Sequence, residues 1–522
     1  MIWGSFLLIG LALVLVNGFG EKPVETSSQV WITKGKSLSR PDWITKGYQE
    51  LLKESPDDLH LHAQYISHLD DHNDSLNKAI ASYFVMAQGR KKYRRALGNI
   101  CSGLIYNKKR DYLRAKLCFN RVRMRGLPYL HAGIGDAEAA LNRYDKAEAA
   151  YKTELELDSG KHVAAAFHGL ARLYIRTQKK DSLWKLWENP EAKPYVPHNA
   201  IRAEAFRRGE FVDYGVIISQ RLFDKFTWSG FLAALLVTAV WLAYLLQLHI
   251  FSAGSRRFIA FAFGLGMLMS VATYIMSDFQ HFTLGLEPSG GWLASWLYHV
   301  CAIGLIEEFA KILPLLLIIQ FRRSVREPYD LILYACTSAL GFAFIENGLY
   351  YDGQHLHIIH ARAMTAVVGH MFQASLIAYT LAWRHIRARR FHPWLVFAGG
   401  LILAGIWHGS ANFFLHQGLR LPYLVQLTLG LYLWTLFINN TLNASPFFDN
   451  RLQLSPRRLM SFVMLGLTAI LVFEYLLAAY HFGPDEANMQ LKKAALSGSF
   501  LIVLLAFMLS RFRLKQGFWR RF

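Results

Sequence analysis

Two adjacent carboxylates and one ammonium group lie inside a segment that is otherwise apolar enough to cross a bilayer. Glu307, Glu308 and Lys311 fall within residues 302–317, whose other side chains are apolar. Ionisable groups at hydrocarbon depth are costly unless they face a partner or a water-filled cavity, and they therefore mark functional sites. These three residues are the first candidates for a functional site.

The structural alternative is an internal ion pair. Lys311 is four residues from Glu307 and three from Glu308, so one helical turn can bring either carboxylate to the ammonium group. One lysine neutralises only one of the two acids. We therefore expect Lys311 to form a structural ion pair that holds one glutamate ionised while the other does chemistry.

About nine apolar segments after residue 227 are predicted to span the membrane as helices. They cover roughly residues 228–251, 257–276, 292–320, 330–350, 364–386, 394–416, 421–441, 460–481 and 495–511. Such lengths suit the hydrocarbon thickness of a bilayer. The sequence thus predicts an all-α, polytopic membrane domain.

The charges of the connecting segments alternate from one side to the other. Arginines on one side are Arg256, Arg257, Arg322, Arg323, Arg326, Arg384, Arg387, Arg389, Arg390, Arg451, Arg457, Arg458 and those within 511–521. By the positive-inside rule this side is cytoplasmic, and the C-terminus lies there too. The first span then runs from outside to inside, so residues 21–225 are predicted to lie outside the cytoplasm. The predicted location of the protein is the inner membrane.

Three further spans carry polar side chains near the predicted outer surface. These residues are Glu346, Asn347, His370, His408 and Asn412. At a rise of about 1.5 Å per residue, most of them lie on the order of 5 to 15 Å below that surface, with Glu308 deeper. A single histidine or asparagine in a span is often an interhelical hydrogen-bonding group. Their occurrence in successive spans instead favours one shared cavity.

Such a set has the parts of a site that hydrolyses an amide. A carboxylate can take a proton from water as general base, and a histidine can share that task or protonate the leaving amine. The Asn412 amide can donate to the oxyanion. Alternatively, Glu308, Glu346, His370 and His408 offer the ligand types of a catalytic zinc ion. The chain lacks HExxH, which excludes a metalloprotease of that pattern.

The overall composition predicts a membrane protein with a soluble part. Of the 522 residues, 53% are hydrophobic and 14% aromatic, and the mean hydropathy is +0.19. The net charge of +20 does not indicate nucleic-acid binding, because basic residues beside cytoplasmic span ends raise the charge of membrane proteins. The four cysteines show no CxxC spacing and indicate neither a zinc ribbon nor a disulfide framework.

The N-terminal half divides into a short apolar segment and a long polar one. Residues 1–20 are predicted to be a signal peptide or an uncleaved anchor, and the sequence leaves both open. In residues 21–225, Gly103, Gly135 and Gly169 recur at intervals of 32 and 34 residues within helical patterns. This resembles tetratricopeptide repeats, although a generic helical domain is the alternative. We expect an extracytoplasmic domain that binds a protein or peptide.

Four motifs in the spans carry a resemblance to a known family. They are Glu307-Glu308-x-x-Lys311, Gly341-Phe342-x-x-x-Glu346-Asn347, the stretch 362–370, and His408-x-x-x-Asn412. Together they resemble the signature of the PrsW-type intramembrane proteases, relatives of the CAAX-processing endopeptidases. The resemblance covers about residues 228–440.

The resemblance implies an intramembrane endopeptidase, often assigned to the metalloproteases, although a glutamate-activated water without metal has also been argued for relatives. Glu307 and Glu308 would supply the base or a ligand, with His370 and His408 as base partner or ligands. Glu346 would stand where the CAAX-type relatives have histidine. Family members that cut anti-sigma factors do so outside the cytoplasm, in agreement with the predicted depth.

We therefore predict a protease domain at 228–441, followed at 442–522 by additional transmembrane helices and a basic cytoplasmic tail. The expected substrate is a single-span or anti-sigma-like membrane protein, recruited or sensed by the repeats and cut near the outer surface. Zinc and metal-free catalysis both remain open. One alternative is a proton-coupled transporter or channel, since buried Glu and His also build proton relays. Another is a proteolytically silent scaffold.

Overall fold

The computed structural model describes most of the chain. The described residues are 2–19, 28–37, 41–69, 75–124, 126–157, 162–251, 255–288, 290–321, 324–351 and 356–520. Within these ranges the chain forms helices and contains no strand, which confirms the predicted all-α class. The predicted boundary near residue 20 and three of the basic residues, at 322, 323 and 521, lie outside the described residues.

The chain divides into two compact units. One comprises Pro23–Arg221, and the other combines Met1–Lys22 with Leu222–Phe522. The first helix, α1 (Ile2–Phe19), therefore belongs to the membrane unit. Its Ser5 hydroxyl accepts a hydrogen bond from Thr468 at 3.0 Å, and the side-chain amides of Asn17 and Asn488 are hydrogen-bonded at 2.8 Å. Cleavage as a signal peptide and retention as an anchor both stay predictions.

The N-terminal unit consists of helices joined by short connections, and its boundary at Arg221 falls within the last of them. They are α2 (Ser28–Ser37), α3 (Pro41–Glu54), α4 (Leu59–His68), α5 (Ser75–Ala87), α6 (Lys92–Lys108), α7 (Tyr112–Asn120), α8 (Leu130–Ala140), α9 (Tyr144–Leu157), α10 (Ala164–Arg176), α11 (Lys180–Glu188), α12 (His198–Arg208) and α13 (Phe211–Lys225). Aspartates begin two of these helices, because the Asp58 and Asp111 carboxylates accept hydrogen bonds from backbone N–H groups of the first turn.

The periodic glycines of this unit lie where helices approach closely. A Cβ on Gly103 would collide with the ring of Phe119, and one on Gly135 or Gly169 would collide with the ring of Tyr151. Both aromatic rings are buried, so each fills the space that neighbouring glycines leave open. These contacts explain the recurrence of glycine in the sequence. The assignment to the tetratricopeptide class stays a prediction.

The membrane unit contains eleven further helices among the described residues. They are α14 (Trp228–Leu248), α15 (Arg256–Leu284), α16 (Trp292–Tyr298), α17 (Leu305–Ile318), α18 (Pro328–Tyr350), α19 (Ile359–Met364), α20 (Ala366–Arg387), α21 (Pro393–His416), α22 (Arg420–Asn443), α23 (Pro456–Phe482) and α24 (Pro484–Met508). Eight described segments are long and apolar enough to cross a membrane, with α19 and α20 forming part of one of them. The predicted multi-pass architecture is confirmed.

Helix α18 lies at the centre of this unit. In its apolar window 83% of the residues are buried, whereas the corresponding value for α15 is 17%. Helices α14, α15, α17 and α20 all pack against α18. The polar side chains of Asp330, Thr337, Ser338 and Asn347 on α18 are therefore buried.

The predicted span at 292–320 is helical but changes type along its length. Helix α16 passes into a π-helical segment, His299–Gly304, which continues into α17. Single π-helical turns occur often at functional sites. Here the segment packs closely on α21, because a Cβ on Gly304 or Gly409 would collide with the backbone of the other helix. The glutamate pair begins just after this contact.

Candidate active site

Lys311 is the fully buried centre of the glutamate pair. On α17 its ammonium group donates to Glu308 Oε1 at 2.8 Å and to Glu307 Oε2 at 3.2 Å. Glu308 is as deeply buried as Lys311, whereas 22% of the Glu307 side chain is exposed. The predicted ion pair is thus present in the structure, and Lys311 contacts both acids. Glu307 is the more accessible carboxylate.

His408 on α21 joins this pair from a position 100 residues away in the chain. Its Nδ1 lies 2.7 Å from Glu308 Oε1, and its Nε2 lies 3.7 Å from Glu307 Oε2. The close packing of α21 on the π-helical segment brings the two helices near enough for this contact. One carboxylate therefore binds one edge of the ring, and the other edge faces Glu307.

A second arrangement of the same kind surrounds His370 on α20. The Nε2 of His370 lies 2.9 Å from Glu346 Oε2, and the other oxygen of Glu346 lies 3.1 Å from the Arg362 guanidinium group. Arg362 also donates through Nε to the Asn347 side chain at 2.7 Å. Each histidine thus contacts a carboxylate that is itself paired with a buried cation.

The two arrangements meet between α17, α20 and α21. The rings of His370 and His408 are 5.6 Å apart, and one donor atom each of Glu307, His370 and His408 lies within 4.8 Å of the others. Two atoms there are buried without a hydrogen-bond partner, Glu308 Oε2 and His370 Nδ1. Unsatisfied buried polar atoms are uncommon in proteins and indicate a place for water or an ion.

The structure adds residues that the sequence reasoning did not single out. With its amide nitrogen directed toward α17, Gln373 donates to Glu308 Oε1 at 3.2 Å. Lys311 also lies 4.6 Å from the centre of the Phe342 ring, a cation–π contact. Gln373 follows His370 by three residues on an apolar helix, and that spacing was the available signal. In the described part of the chain, no hydrogen bond joins Asn412 to this cluster.

Comparison with known proteins places this cluster within a defined domain. Residues 254–439 match the family described as PrsW family intramembrane metalloprotease. This part of the chain is similar to the PrsW family. All the glutamates and histidines of the cluster lie inside the PrsW domain, whereas the N-terminal unit, α23 and α24 lie outside it.

Individual relatives agree with this assignment. Protease PrsW of Geobacillus kaustophilus is 30% identical over 105 residues, which cover 20% of this chain and 47% of the relative. The Bacillus subtilis protease PrsW is 28% identical over 26% of this chain and 62% of its own length. The Shouchella clausii protein of the same name is 24% identical over 41% of this chain and 97% of its length.

The chain spans about half the length of the Geobacillus relative, whereas it covers nearly all of the Shouchella protein. No solved structure shows a significant match. The PrsW assignment therefore rests on sequence comparison, and the geometry of the cluster comes from this chain alone. The roles of the individual site residues stay predictions.

Proposed function

We propose that the chain is an intramembrane endopeptidase that hydrolyses peptide bonds of membrane-associated proteins. The observation that carries the proposal is the convergence of Glu307, His370 and His408 in a PrsW domain, with one donor atom of each within 4.8 Å of the others. Acid and imidazole groups so placed can activate water beside a scissile amide. Apolar spans that lack such groups could not activate water.

The two inner carboxylates act by orienting the histidines. Glu308 accepts from Nδ1 of His408, which leaves Nε2 directed toward Glu307. Glu346 contacts Nε2 of His370, which leaves the unpartnered Nδ1 available. A carboxylate on the far side of an imidazole fixes its tautomer and raises its basicity. Lys311 and Arg362 keep these two carboxylates ionised.

Glu307 is then the reacting carboxylate. Glu307 and Glu346 are both partly accessible, with 22% and 20% of their side chains exposed, but Glu307 is the one with a donor atom near both histidines. Glu307 takes the proton of the attacking water and returns it to the leaving amine, and the Asn412 side chain is placed one turn beyond His408 to donate to the oxyanion.

A metal ion fits the same donor set. Glu307, His370 and His408 offer two imidazole nitrogens and one carboxylate oxygen, the ligands typical of catalytic zinc. His370 Nδ1 is buried without a hydrogen-bond partner, so this nitrogen is available to bind an ion. Zinc held there would acidify its bound water and polarise the substrate carbonyl. In this arrangement Glu308 and Glu346 orient ligands, a different role from the ligation that the sequence suggested.

The N-terminal unit is proposed to recruit the substrate or a sensing partner outside the cytoplasm. It contains a concave pocket of about 560 Å³ whose polar lining includes Gln64, Asn107, Lys108, Tyr112 and Arg172. Concave surfaces of stacked helices commonly bind extended peptides. The expected substrate is a membrane protein with a single span, of which an anti-sigma factor is one example, in the inner membrane.

The test is cleavage of candidate single-span membrane proteins by the purified full-length chain in detergent or liposomes. Glu307→Gln, Glu308→Gln, His370→Gln and His408→Gln should each lower the cleavage rate, and Glu307→Gln should lower it by at least about 100-fold, the usual value of a general base. His416→Gln, on the exposed end of the same helix as His408, is the matched control and should cleave normally.

Undiminished cleavage by all four variants would exclude this site. A proton-coupled transporter predicts a different result, namely uptake into liposomes that depends on a proton gradient and is abolished by the same four substitutions. Measuring both activities on one preparation separates the two functions.

A further inference from the structure

A second group of metal-ligating side chains lies at the opposite end of the central helix from Glu346. His249 directly follows α14, Glu327 directly precedes α18, and Asp330 lies in the first turn of α18. Sixteen residues separate Asp330 from Glu346, which corresponds to about 24 Å along the helix. The group, called here the His249 cluster, is therefore distinct from the candidate active site.

The three side chains converge on one point. His249 Nε2 lies 3.0 Å from Glu327 Oε1 and 3.0 Å from Asp330 Oδ1. Both carboxylates are fully buried, and the histidine side chain is 6% exposed. All three of these converging atoms nevertheless lack a hydrogen bond of acceptable geometry.

The remaining oxygen of each carboxylate is used to hold its orientation. Asp330 Oδ2 accepts from the backbone N–H groups of Arg326 at 2.7 Å and Glu327 at 3.1 Å. Glu327 Oε2 accepts from the Ser445 hydroxyl at 2.6 Å. These bonds aim the other two oxygens at His249, in the way that outer partners orient the ligands of a metal.

The charge of the cluster is unbalanced without a cation. Two carboxylates face one imidazole, so even a protonated ring leaves one negative charge buried. Among the described residues, His249 is the only cationic partner of Glu327 and Asp330. A single Nε2–H shared between two oxygens, each 3.0 Å away, is also poorly aligned with both of them. A divalent cation beside a neutral imidazole would neutralise both acids and satisfy all three atoms.

We propose that His249, Glu327 and Asp330 bind a divalent first-row transition metal ion. One imidazole nitrogen and two carboxylate oxygens suit Zn²⁺ or Mn²⁺, whereas Ca²⁺ and Mg²⁺ prefer oxygen ligands alone. The ion ties together the end of α14, the start of α18 and the segment after α22 that carries Ser445. The role of this ion is structural, because its three ligands are buried and a substrate could not reach it.

The experiment counts bound metal in a background that lacks the candidate active-site ligands. The full-length variant Glu307→Gln with His370→Gln is purified in detergent, equilibrated with Zn²⁺, and analysed by elemental mass spectrometry. We expect about one equivalent of Zn²⁺ per chain, and Mn²⁺ should occupy the same site with a bound-state electron paramagnetic resonance spectrum. Because this background keeps only His408 of the three converging active-site ligands, the result does not depend on the proposed protease.

Adding Glu327→Gln to that background should abolish stoichiometric binding. Adding Ser445→Ala instead keeps all three ligands but removes one orienting bond, and should weaken Zn²⁺ binding about 10- to 100-fold. Glu287→Gln, an exposed acid elsewhere in the unit, is the control and should bind as the background does. Zn²⁺ should also raise the melting temperature of the background and the control, but not of the Glu327→Gln variant.

Two results would overturn the metal assignment. One is a folded background protein that binds well below one equivalent of Zn²⁺ or Mn²⁺, which would leave the cluster as an imidazolium shared by two acids. The other is unchanged affinity in both the Glu327→Gln and Ser445→Ala variants. If the Glu327→Gln variant fails to fold, the Ser445→Ala variant alone decides between a bound metal ion and an imidazolium shared by two acids.

Discussion

Replacing Lys311 by methionine tests the buried charges of the candidate site. The Lys311 ammonium group lies 2.8 Å from Glu308 and 3.2 Å from Glu307, and the side chains of Lys311 and Glu308 are both 0% exposed. Methionine has a similar length but no charge, so Glu308 would stay buried without its cation. Breaking a buried pair in this way costs about 3 to 5 kcal/mol.

This loss is large enough to measure by thermal unfolding of the purified protein in detergent. Since about 1 kcal/mol shifts the melting temperature by roughly 2 to 4 °C in domains of 150 to 250 residues, we expect a decrease on the order of 10 °C. The double variant Lys311→Met with Glu308→Gln removes both charges and should recover most of the decrease. Its side-chain amide can still hydrogen-bond to His408.

Two results would refute this reasoning. A Lys311→Met protein that melts within roughly 2 °C of the wild type would mean that Glu308 does not depend on this cation. A double variant no more stable than the single one would mean that the lysine contributes through packing, for example on Phe342, and not through charge. The exposed variant His416→Gln controls for unspecific effects of substitution in the domain.

Three further predictions concern packing, metal and pH. Gly409→Ala should lower cleavage about 100-fold, because its Cβ would push α21 roughly 1 Å from the π-helical segment, whereas Gly399→Ala on the same helix meets open space and should cleave normally. A chelator should abolish cleavage by the wild type and added Zn²⁺ should restore it; full activity in chelator would favour metal-free catalysis. Burial raises the pKa of Glu148, but hydrogen bonds from Lys179, Lys152 and Tyr174 outweigh it and lower the pKa to about 2. The ionised Glu148 side chain therefore stabilises the fold above pH 4.5, and this stabilisation is lost as the pH falls toward 2. Cleavage of α9 to α11 by an acid protease should increase over that pH range in the wild type. The increase should be smaller in the Glu148→Gln variant.

The spans could be predicted because hydropathy is a local property. Eight of the nine predicted segments coincide with described helices that are long and apolar enough to cross a membrane. The ninth, at 292–320, is helical but contains the π-helical segment His299–Gly304. The π-helical segment lies in close backbone contact with α21. Local sequence patterns could not predict this contact, because α21 lies about 100 residues further along the chain.

The members of the candidate site could also be predicted, since a charged or imidazole side chain stands out in an apolar run. Their pairing could not. The contacts of Glu308 with His408 and of Glu346 with His370 join different helices, and only tertiary packing selects them. For the same reason the sequence suggested Glu308 and Glu346 as ligands, although Glu307 is the acid that has a donor atom within 4.8 Å of one nitrogen of each histidine.

The candidate site contains one more acid than it contains cations. Lys311 and Arg362 each pair with a carboxylate, Glu308 and Glu346, that in turn contacts a histidine. Three acids and two cations leave one negative charge, and Glu307 is the acid that shares its cation, Lys311, with a closer carboxylate, Glu308. A cluster with more acids than cations favours the binding of a further cation. In the proposed function, Glu307 is therefore the acid that activates water or binds the metal ion.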